Sequence, residues 1–526
     1  MVADGGSVLE GSGHAADGST PPWARHLPDG TSAGDLDLLA RVSLPAAWAA
    51  RWRAAPGRRL VRDVDGTWLD GGELLSRTAS VAGRLAGAGL RAGDRVLLSG
   101  DASGAFLVAH CAAMRAGFVV VPVNSAATRR ELEALMTAAG ARAAVLDAGA
   151  LRSWALEIDP DLLVVSTEVD VPDGPPPPLD VVTSGDPALL PYTSGTTGSP
   201  KGVPLSHGNL LASAEALRLA WRWSEDDTLI LCLPLFHVHG LAVGLQGALL
   251  SGSRLLLQRG FDTEAVLAAS PEATLLFGVP TMYSRLAVAD GAERLASLRL
   301  CVSGSAPMSA ELHAQVLASC GQVVLERYGM TETVMLVSNP YEGERRAGSV
   351  GLPLPGVDLR LGAGDEIEVQ GPNVFSGYLG VAPADDRTFT EDGWFRTGDV
   401  GALDGDGYVR IVGRAKELVI TGGYNVHPRE VEDVLRTHPD VVDVAIVGTP
   451  SAEWGETVTA YVEAGKDLDG DALMAWARGH LVPYKCPRIV HRIDALPRNG
   501  MGKVVRGELR PPSELAPEGP SDATTP

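Results

Sequence analysis

The chain has 526 residues, more than one hydrophobic core organises, so at least two domains are expected. Hydrophobic residues make up 45% and aromatic ones 5%, a globular composition that excludes a disordered chain. Lysine and arginine number 44 against 65 aspartates and glutamates, and the net charge of −21 argues against nucleic acid or anionic lipid as a main partner. An anionic substrate must then be captured by local positive groups.

Residues 1–35 are rich in Gly, Ser, Asp and Ala without apolar period, and a disordered tail is expected there. No basic start precedes an apolar run, so no secretory signal is expected. Cys111, Cys232, Cys301, Cys320 and Cys486 are scattered and form no CxxC pair, which suits reduced thiols and a cytoplasmic location. Short Val/Leu/Ile runs at 96–99, 118–121, 144–146 and 163–166 alternate with Ala/Leu segments. That alternation predicts α/β units with parallel sheets. The most apolar stretch, 105–123, carries His110 and Arg115 and reads as a buried helix followed by a strand, with no membrane span. Pro175 to Pro178 read as an extended surface linker.

Residues 405–407 predict a turn between strands, and Pro428 opens a helix with Val431, Val434 and Leu435 on one face. Strands are expected at 444–447 and 458–462. The division expected is a large α/β domain over 36–413, a small α+β domain over 414–510, and a second tail over 511–526.

The most specific segment is Tyr192-Thr193-Ser194-Gly195-Thr196-Thr197-Gly198-Ser199-Pro200-Lys201-Gly202. Glycines let backbone approach a polyphosphate, hydroxyls and amides donate to its oxygens, and Lys201 adds a compact positive charge. An apolar stretch precedes the loop, and Ser206 is placed to cap the helix after it. The loop is not a Walker A motif, because Lys201 stands between Pro200 and Gly202.

This segment resembles the signature of the adenylate-forming superfamily of acyl-CoA synthetases and peptide-synthetase adenylation domains. Pro191 is a small departure from it. Further motifs follow in order. Gly304-Ser305-Ala306 resembles the turn bordering adenine, and Tyr328-Gly329-Met330-Thr331-Glu332 the nucleotide and metal motif. The resemblance implies that Tyr328 packs on adenine, Thr331 bonds the α-phosphate and Glu332 binds Mg2+. Aromatic stacking and a hard carboxylate suit those tasks. Asp399, after Thr397 and Gly398, resembles with Arg414 a ribose clamp. Lys503 matches the lysine that reaches the carboxylate and α-phosphate during adenylation, where a cation stabilises the developing charge.

The resemblance also implies a mobile small domain with its hinge at Lys416. Rotation would bring Gly422, Gly423 and Tyr424 to line a tunnel for coenzyme A. Lys485 and Arg488 are candidates for the CoA phosphates or solvated surface charges. Ile420 stands where relatives often carry a lysine.

The acyl pocket is expected along 236–240, 278–285 and 304–308, with His237 and Met330 beside the acid. His237 and His239 have no third or fourth ligand nearby in sequence, so zinc is not expected. Residues 233–240, 278–285 and 302–306 are similar to the malonyl-CoA synthetase branch. There Arg285 and Ser305 match groups that hold a second carboxylate; otherwise Arg285 faces solvent. The expected activity is thus AMP-forming acid–CoA ligation with ATP, Mg2+ and CoA, on malonate or methylmalonate. Alternatives are a monocarboxylate–CoA ligase, loading of a separate carrier protein, or a degenerate nucleotide-binding scaffold.

Overall fold

Strands buried on both faces read as unbroken apolar runs, and the parallel strands of this chain do so. The computed structural model describes residues 20–194, 200–381, 387–451, 453–465, 468–498 and 503–509. The first runs fold as Arg95–Ser99, Val119–Pro122, Ala143–Leu146 and Leu163–Val165, paired in parallel within a six-stranded sheet. A nine-stranded sheet follows, with Thr228–Leu231, Leu275–Gly278, Leu300–Ser303 and Leu325–Tyr328 side by side and parallel. Its buried side packs Ile230, Leu276, Cys301, Tyr283 and Leu286 into one core.

Helix starts are written in the sequence. Asp70, Thr128 and Ser206 each accept a hydrogen bond from the third helical residue, and that residue's side chain returns to the capping residue's own backbone amide. Ser206 caps His207–Ala220 as expected from its position after the phosphate loop. The apolar stretch forms the helix Gly104–Arg115 and the strand Val119–Pro122. Among the described residues no helix is long and apolar enough to cross a membrane.

One expectation needs correction. The tail was drawn to residue 35, yet residues 20–35 are folded: Pro22–His26 forms a turn of 3-10 helix with Trp23 and His26 buried. Arg222 holds the segment, donating to the carbonyls of His26 at 2.7 Å and Leu27 at 3.0 Å. One tryptophan in a Gly/Ser/Asp-rich stretch gives no period to read, though its burial anchors the segment. Residues 1–19 and 510–526 lie outside the described residues.

The chain forms two compact units. The larger is Met1–Leu359 with Val369–Phe395 and Asp404–Val409; the smaller is Arg360–Glu368 with Arg396–Leu403 and Arg410–Pro526. In the smaller unit Gly455–Ala464 is the central strand, antiparallel to Val441–Ser451 and parallel to Ile489–Ile493. The helix Pro428–Leu435 buries Val431 and Leu435 against that sheet.

Candidate active site

In the larger unit, Tyr192–Ser194 and Pro200–Gly202 pair as an antiparallel hairpin with Thr193 opposite Lys201. Gly195, Thr196, Thr197 and Gly198 lie outside the described residues. The Lys201 ammonium stands 5.0 Å from the centre of the Tyr378 ring, within cation–π range. The Tyr378 hydroxyl donates to Glu332 Oε1 at 2.7 Å. One tyrosine thus links the phosphate hairpin to the Glu332 motif.

Glu332 is 5% exposed, and Oε1 is taken by Tyr378. Magnesium commonly takes one or two protein carboxylates and completes its shell with phosphates and water. Among the described residues no cluster of three or more His, Cys, Asp or Glu could cage a metal. Glu332 therefore suits a magnesium ion that arrives on a nucleotide. Tyr328 ends its strand half-buried, and Met330 and Thr331 are half-buried in the following turn. Gly329 is needed there: a Cβ would stand 2.1 Å from the Val334 carbonyl oxygen.

The acyl-side residues cluster about a second turn. His239 opens a π-helical stretch, His239–Gln246, a geometry frequent at functional sites. Ser305, held at a positive φ of 68°, places its hydroxyl 3.2 Å from His239 Nδ1. Burial lowers His237 to about 4. His239 is pushed well below the usual range by burial, then by the charge of Arg327 and by His237. Both rings are therefore neutral near pH 7. Arg327 lies beside Gly304, where a Cβ would stand 2.3 Å from the guanidinium carbon. Gly304 thus serves a packing need as well as a turn. Ala306 is half-buried beside Ser305.

Arg285 sits in the last turn of the helix Pro280–Ala287, exposed, and makes no ion pair with a described residue.

In the smaller unit Asp399 is 3% exposed and accepts from Arg414 Nε at 2.9 Å. Thr397 Oγ1 accepts from the Asp399 amide at 3.1 Å. The Lys503 ammonium is lowered from its ordinary value by desolvation first and by Arg414, against the raising pull of Glu417 and Asp399. As a residue Lys503 is exposed, so this crowding concerns only its charged end. Asp399, Arg414 and Lys503 thus form one group. Lys416 lies in the 3-10 turn Ala415–Glu417.

Gly422 and Gly423, with φ of 57° and 81°, turn the hairpin between Val419–Thr421 and Tyr424–Val426. Tyr424 is exposed and stacks on Tyr484 at 4.5 Å. Lys485 pairs with Glu430. Arg488 donates to Thr421 Oγ1 at 3.0 Å and lies over the Trp454 ring. The Trp454 ring also covers Gly422, so close that a Cβ there would meet it at 3.0 Å.

Sequence reasoning missed Tyr378, Arg327 and Trp454. Tyr378 and Trp454 carry no local signal, since each acts through a contact far along the chain. Arg327 directly precedes the Tyr328 motif, and an arginine inside an apolar strand was a signal available to be read.

The comparisons agree with this geometry. Residues 48–379 match the AMP-binding enzyme family and residues 430–503 the AMP-binding enzyme C-terminal domain. A feruloyl-CoA synthase of Amycolatopsis sp is 38% identical, covering 88% of this chain and 97% of that protein. The mitochondrial malonate–CoA ligase ACSF3 of Bos taurus is 34% identical, covering 79% of this chain and 80% of its own. ATP-bound MatB from Rhodopseudomonas palustris superposes with a TM-score of 0.81 at 37% identity, covering 88% of this chain and 97% of that one. The chain belongs to the AMP-binding enzyme family and is an AMP-forming acyl-CoA synthetase that uses ATP, Mg2+ and CoA.

Proposed function

We propose that the acid is malonate or methylmalonate. The observation that carries this reading is Arg285, a cation on the expected acyl wall with no ion pair among the described residues. A carboxylate moved out of water needs such a partner. The similarity to MatB and to a malonate–CoA ligase supports the reading. One methyl changes selectivity by only about 1–3 kcal/mol, so both acids are kept.

In the proposed reaction the substrate carboxylate attacks the α-phosphorus of ATP, and pyrophosphate leaves. The CoA thiol then attacks the acyl carbon, and AMP leaves with its phosphate oxygen. Thr193, Ser194 and Lys201 hold phosphates, Tyr328 covers adenine, Thr331 bonds the α-phosphate, and Asp399 with Arg414 takes the ribose. Glu332 would hold a magnesium ion, which when bound would supply charge neutralisation to the phosphates. His237, neutral, borders the reacting carboxylate without repelling a cation. Lys503 serves adenylation, and its lowered pKa matches a crowded site in which a substrate anion would be welcome. Residues 36–413 and 414–510 act as body and lid, with Lys416 as hinge. Gly422 to Tyr424 line the thiol path. For Lys485 and Arg488 to hold CoA phosphates, they would exchange Glu430 and Thr421 for them.

The test is CoA-dependent AMP formation across malonate, methylmalonate, acetate, butyrate, octanoate and ferulate. Preference for malonate or methylmalonate supports the reading. Preference for butyrate or ferulate keeps the ligase and rejects the diacid. AMP release without acyl-CoA points to carrier loading, and no turnover to a degenerate scaffold. Lys503→Ala should nearly abolish adenylation while transfer from preformed adenylate survives; equal loss of both halves sinks the two-state account.

A further inference from the structure

Val334 holds a backbone conformation that its residue type disfavours. Its φ is 57°, in the left-handed region, although its side chain is β-branched and buried. Such a conformation costs free energy, persists only where the surroundings fix it, and is concentrated at ligand sites. Here it stands two residues after Glu332, in the turn that closes the Tyr328 motif. The Leu336 amide, just beyond it, returns to the Tyr328 carbonyl at 3.0 Å.

One side chain spans the strained residue. Asn373 is 2% exposed, and its Nδ2 donates to the Thr333 carbonyl at 2.9 Å and to the Met335 carbonyl at 2.7 Å. Both amide protons are thus spent on the two neighbours of Val334. Its Oδ1 is sealed without a hydrogen-bond partner among the described residues. Turning the amide over would set that oxygen against two carbonyl oxygens, so the donors fix the orientation. A buried acceptor left unsatisfied has a cost, and the group that carries it needs a reason.

The segment that bears Asn373 touches both sides of the nucleotide machinery. The Phe375 amide donates to the Glu332 carbonyl at 2.9 Å, and the Tyr378 hydroxyl to Glu332 Oε1 at 2.7 Å. The Leu379 amide donates to the Gly202 carbonyl at 2.9 Å, beside Lys201. Asn209, third residue of the helix His207–Ala220, grips the start of the segment. Its Nδ2 donates to the Pro372 carbonyl at 2.8 Å and the Val374 carbonyl at 2.9 Å, while its Oδ1 accepts from the Ser206 amide at 2.9 Å. Residues 372–379 therefore run from the helix after the phosphate loop, past Glu332, to the hairpin that carries Lys201.

We infer that Asn373 is a positioning residue for Glu332, and that residues 372–379 form a strap setting this carboxylate against the phosphate hairpin. Asn373 holds the strained turn in shape, and the strap passes that shape to the backbone and the carboxylate of Glu332. The inference rests on the reading of Glu332 as the magnesium-side carboxylate. The ligand concerned is a nucleoside triphosphate carrying a divalent cation, on which Asn373 acts through Glu332.

Calorimetric titration with α,β-methylene ATP, which cannot be cleaved at the α-phosphorus, tests it without turnover. Titrations in MgCl2 and in EDTA separate the Mg2+-dependent gain in affinity from binding of the bare nucleotide. Glu332→Gln should remove most of that gain. If the gain survives, the reading of Glu332 falls first, and the inference with it. Asn373→Ala should shrink the gain about tenfold and leave affinity in EDTA within about twofold of wild type. In the Glu332→Gln background Asn373→Ala should remove nothing further, because both act through one group. Asn373→Ser keeps one donor and should recover part of the gain; if the alanine variant is insoluble, the serine variant decides by the same comparison. An undiminished gain, equal losses in MgCl2 and EDTA, or a full added loss in the glutamine background overturns the inference and makes Asn373 a brace of the fold alone.

Discussion

Two arginines of the larger unit are almost equally buried and differently completed. Arg115 is 2% exposed and Arg327 4%. Arg115 donates to both oxygens of Asp180, at 2.8 and 2.9 Å, to Thr78 Oγ1 at 2.5 Å and to the Leu75 carbonyl at 3.2 Å. Arg327 has two nitrogens with no hydrogen-bond partner among the described residues. The first guanidinium is completed by a carboxylate, a hydroxyl and a carbonyl; the second lacks such a set among the described residues. Burial alone therefore does not distinguish a paired ion from an unpaired one, whereas the inventory of partners does.

The comparison breaks most visibly in stability. Asp180→Asn leaves Arg115 charged, buried and short of its counter-ion, and should destabilise by about 3–5 kcal/mol in urea titrations. Arg327→Met, by contrast, removes a charge whose Nε and Nη2 have no partner among the described residues and should leave the protein as stable or more so. A large loss from Arg327→Met would mean that its partners are in the fold after all, and the contrast would fail.

Gly304→Ala probes the second arginine from the other side. The new methyl meets the guanidinium carbon at 2.3 Å, so one of the two must move. Overpacking of this kind costs about 1–3 kcal/mol. Because the same turn sets Ser305, proposed to hold the second carboxylate, the variant should weaken malonate adenylation more than butyrate adenylation. Equal loss on both acids would assign Gly304 to the nucleotide turn alone.

Much of this pattern was legible in the sequence. Apolar runs marked the parallel strands, and the hydroxyl–glycine loop and the Tyr328 motif carried the family resemblance because their chemistry is local. Arg115 was recognised as out of place in an apolar stretch, but Asp180, 65 residues away, was not recognisable as its partner. The same limit hid Tyr378 behind Glu332 and Trp454 behind Gly422. It also placed the tail boundary too late, since Arg222 meets the carbonyls of His26 and Leu27 only in the fold. Partners separated by tens of residues leave no periodic trace, and buried ions are defined by partners.

Histidines extend the comparison to groups that escape the cost by staying neutral. Burial lowers His26, His207 and His237 to about 4 and His110 to about 3. Each is neutral in the fold and protonates in the unfolded chain near 6.5. Unfolding then takes up protons below pH 6.5. Stability should be flat above that value and fall as pH drops from 6.5 towards 4, by up to about 1.4 kcal/mol per pH unit for each histidine. Urea titrations across pH 7.5 to 4.5 read the slope. His110→Gln should reduce it by one proton; an unchanged slope would show that His110 is already protonated in the native state.

Glu332 is the acidic counterpart of Arg327, and the smallest effect is expected there. It is 5% exposed, and the Tyr378 hydroxyl holds Oε1 at 2.7 Å. A neutral hydroxyl orients a carboxylate without cancelling its charge, so the anion stays available to a cation carried on the nucleotide. Tyr378→Phe keeps the ring against Lys201 and deletes the hydroxyl that holds Oε1. Hydrogen bonds to charged groups contribute about 1.5–3 kcal/mol, but water can take the place of the hydroxyl, and a loss near the lower end is expected. That corresponds to roughly a tenfold rise in the Mg2+ needed for half-maximal adenylation, with the malonate KM unchanged. A variant that loses malonate affinity and keeps its Mg2+ requirement would remove Glu332 from the metal side.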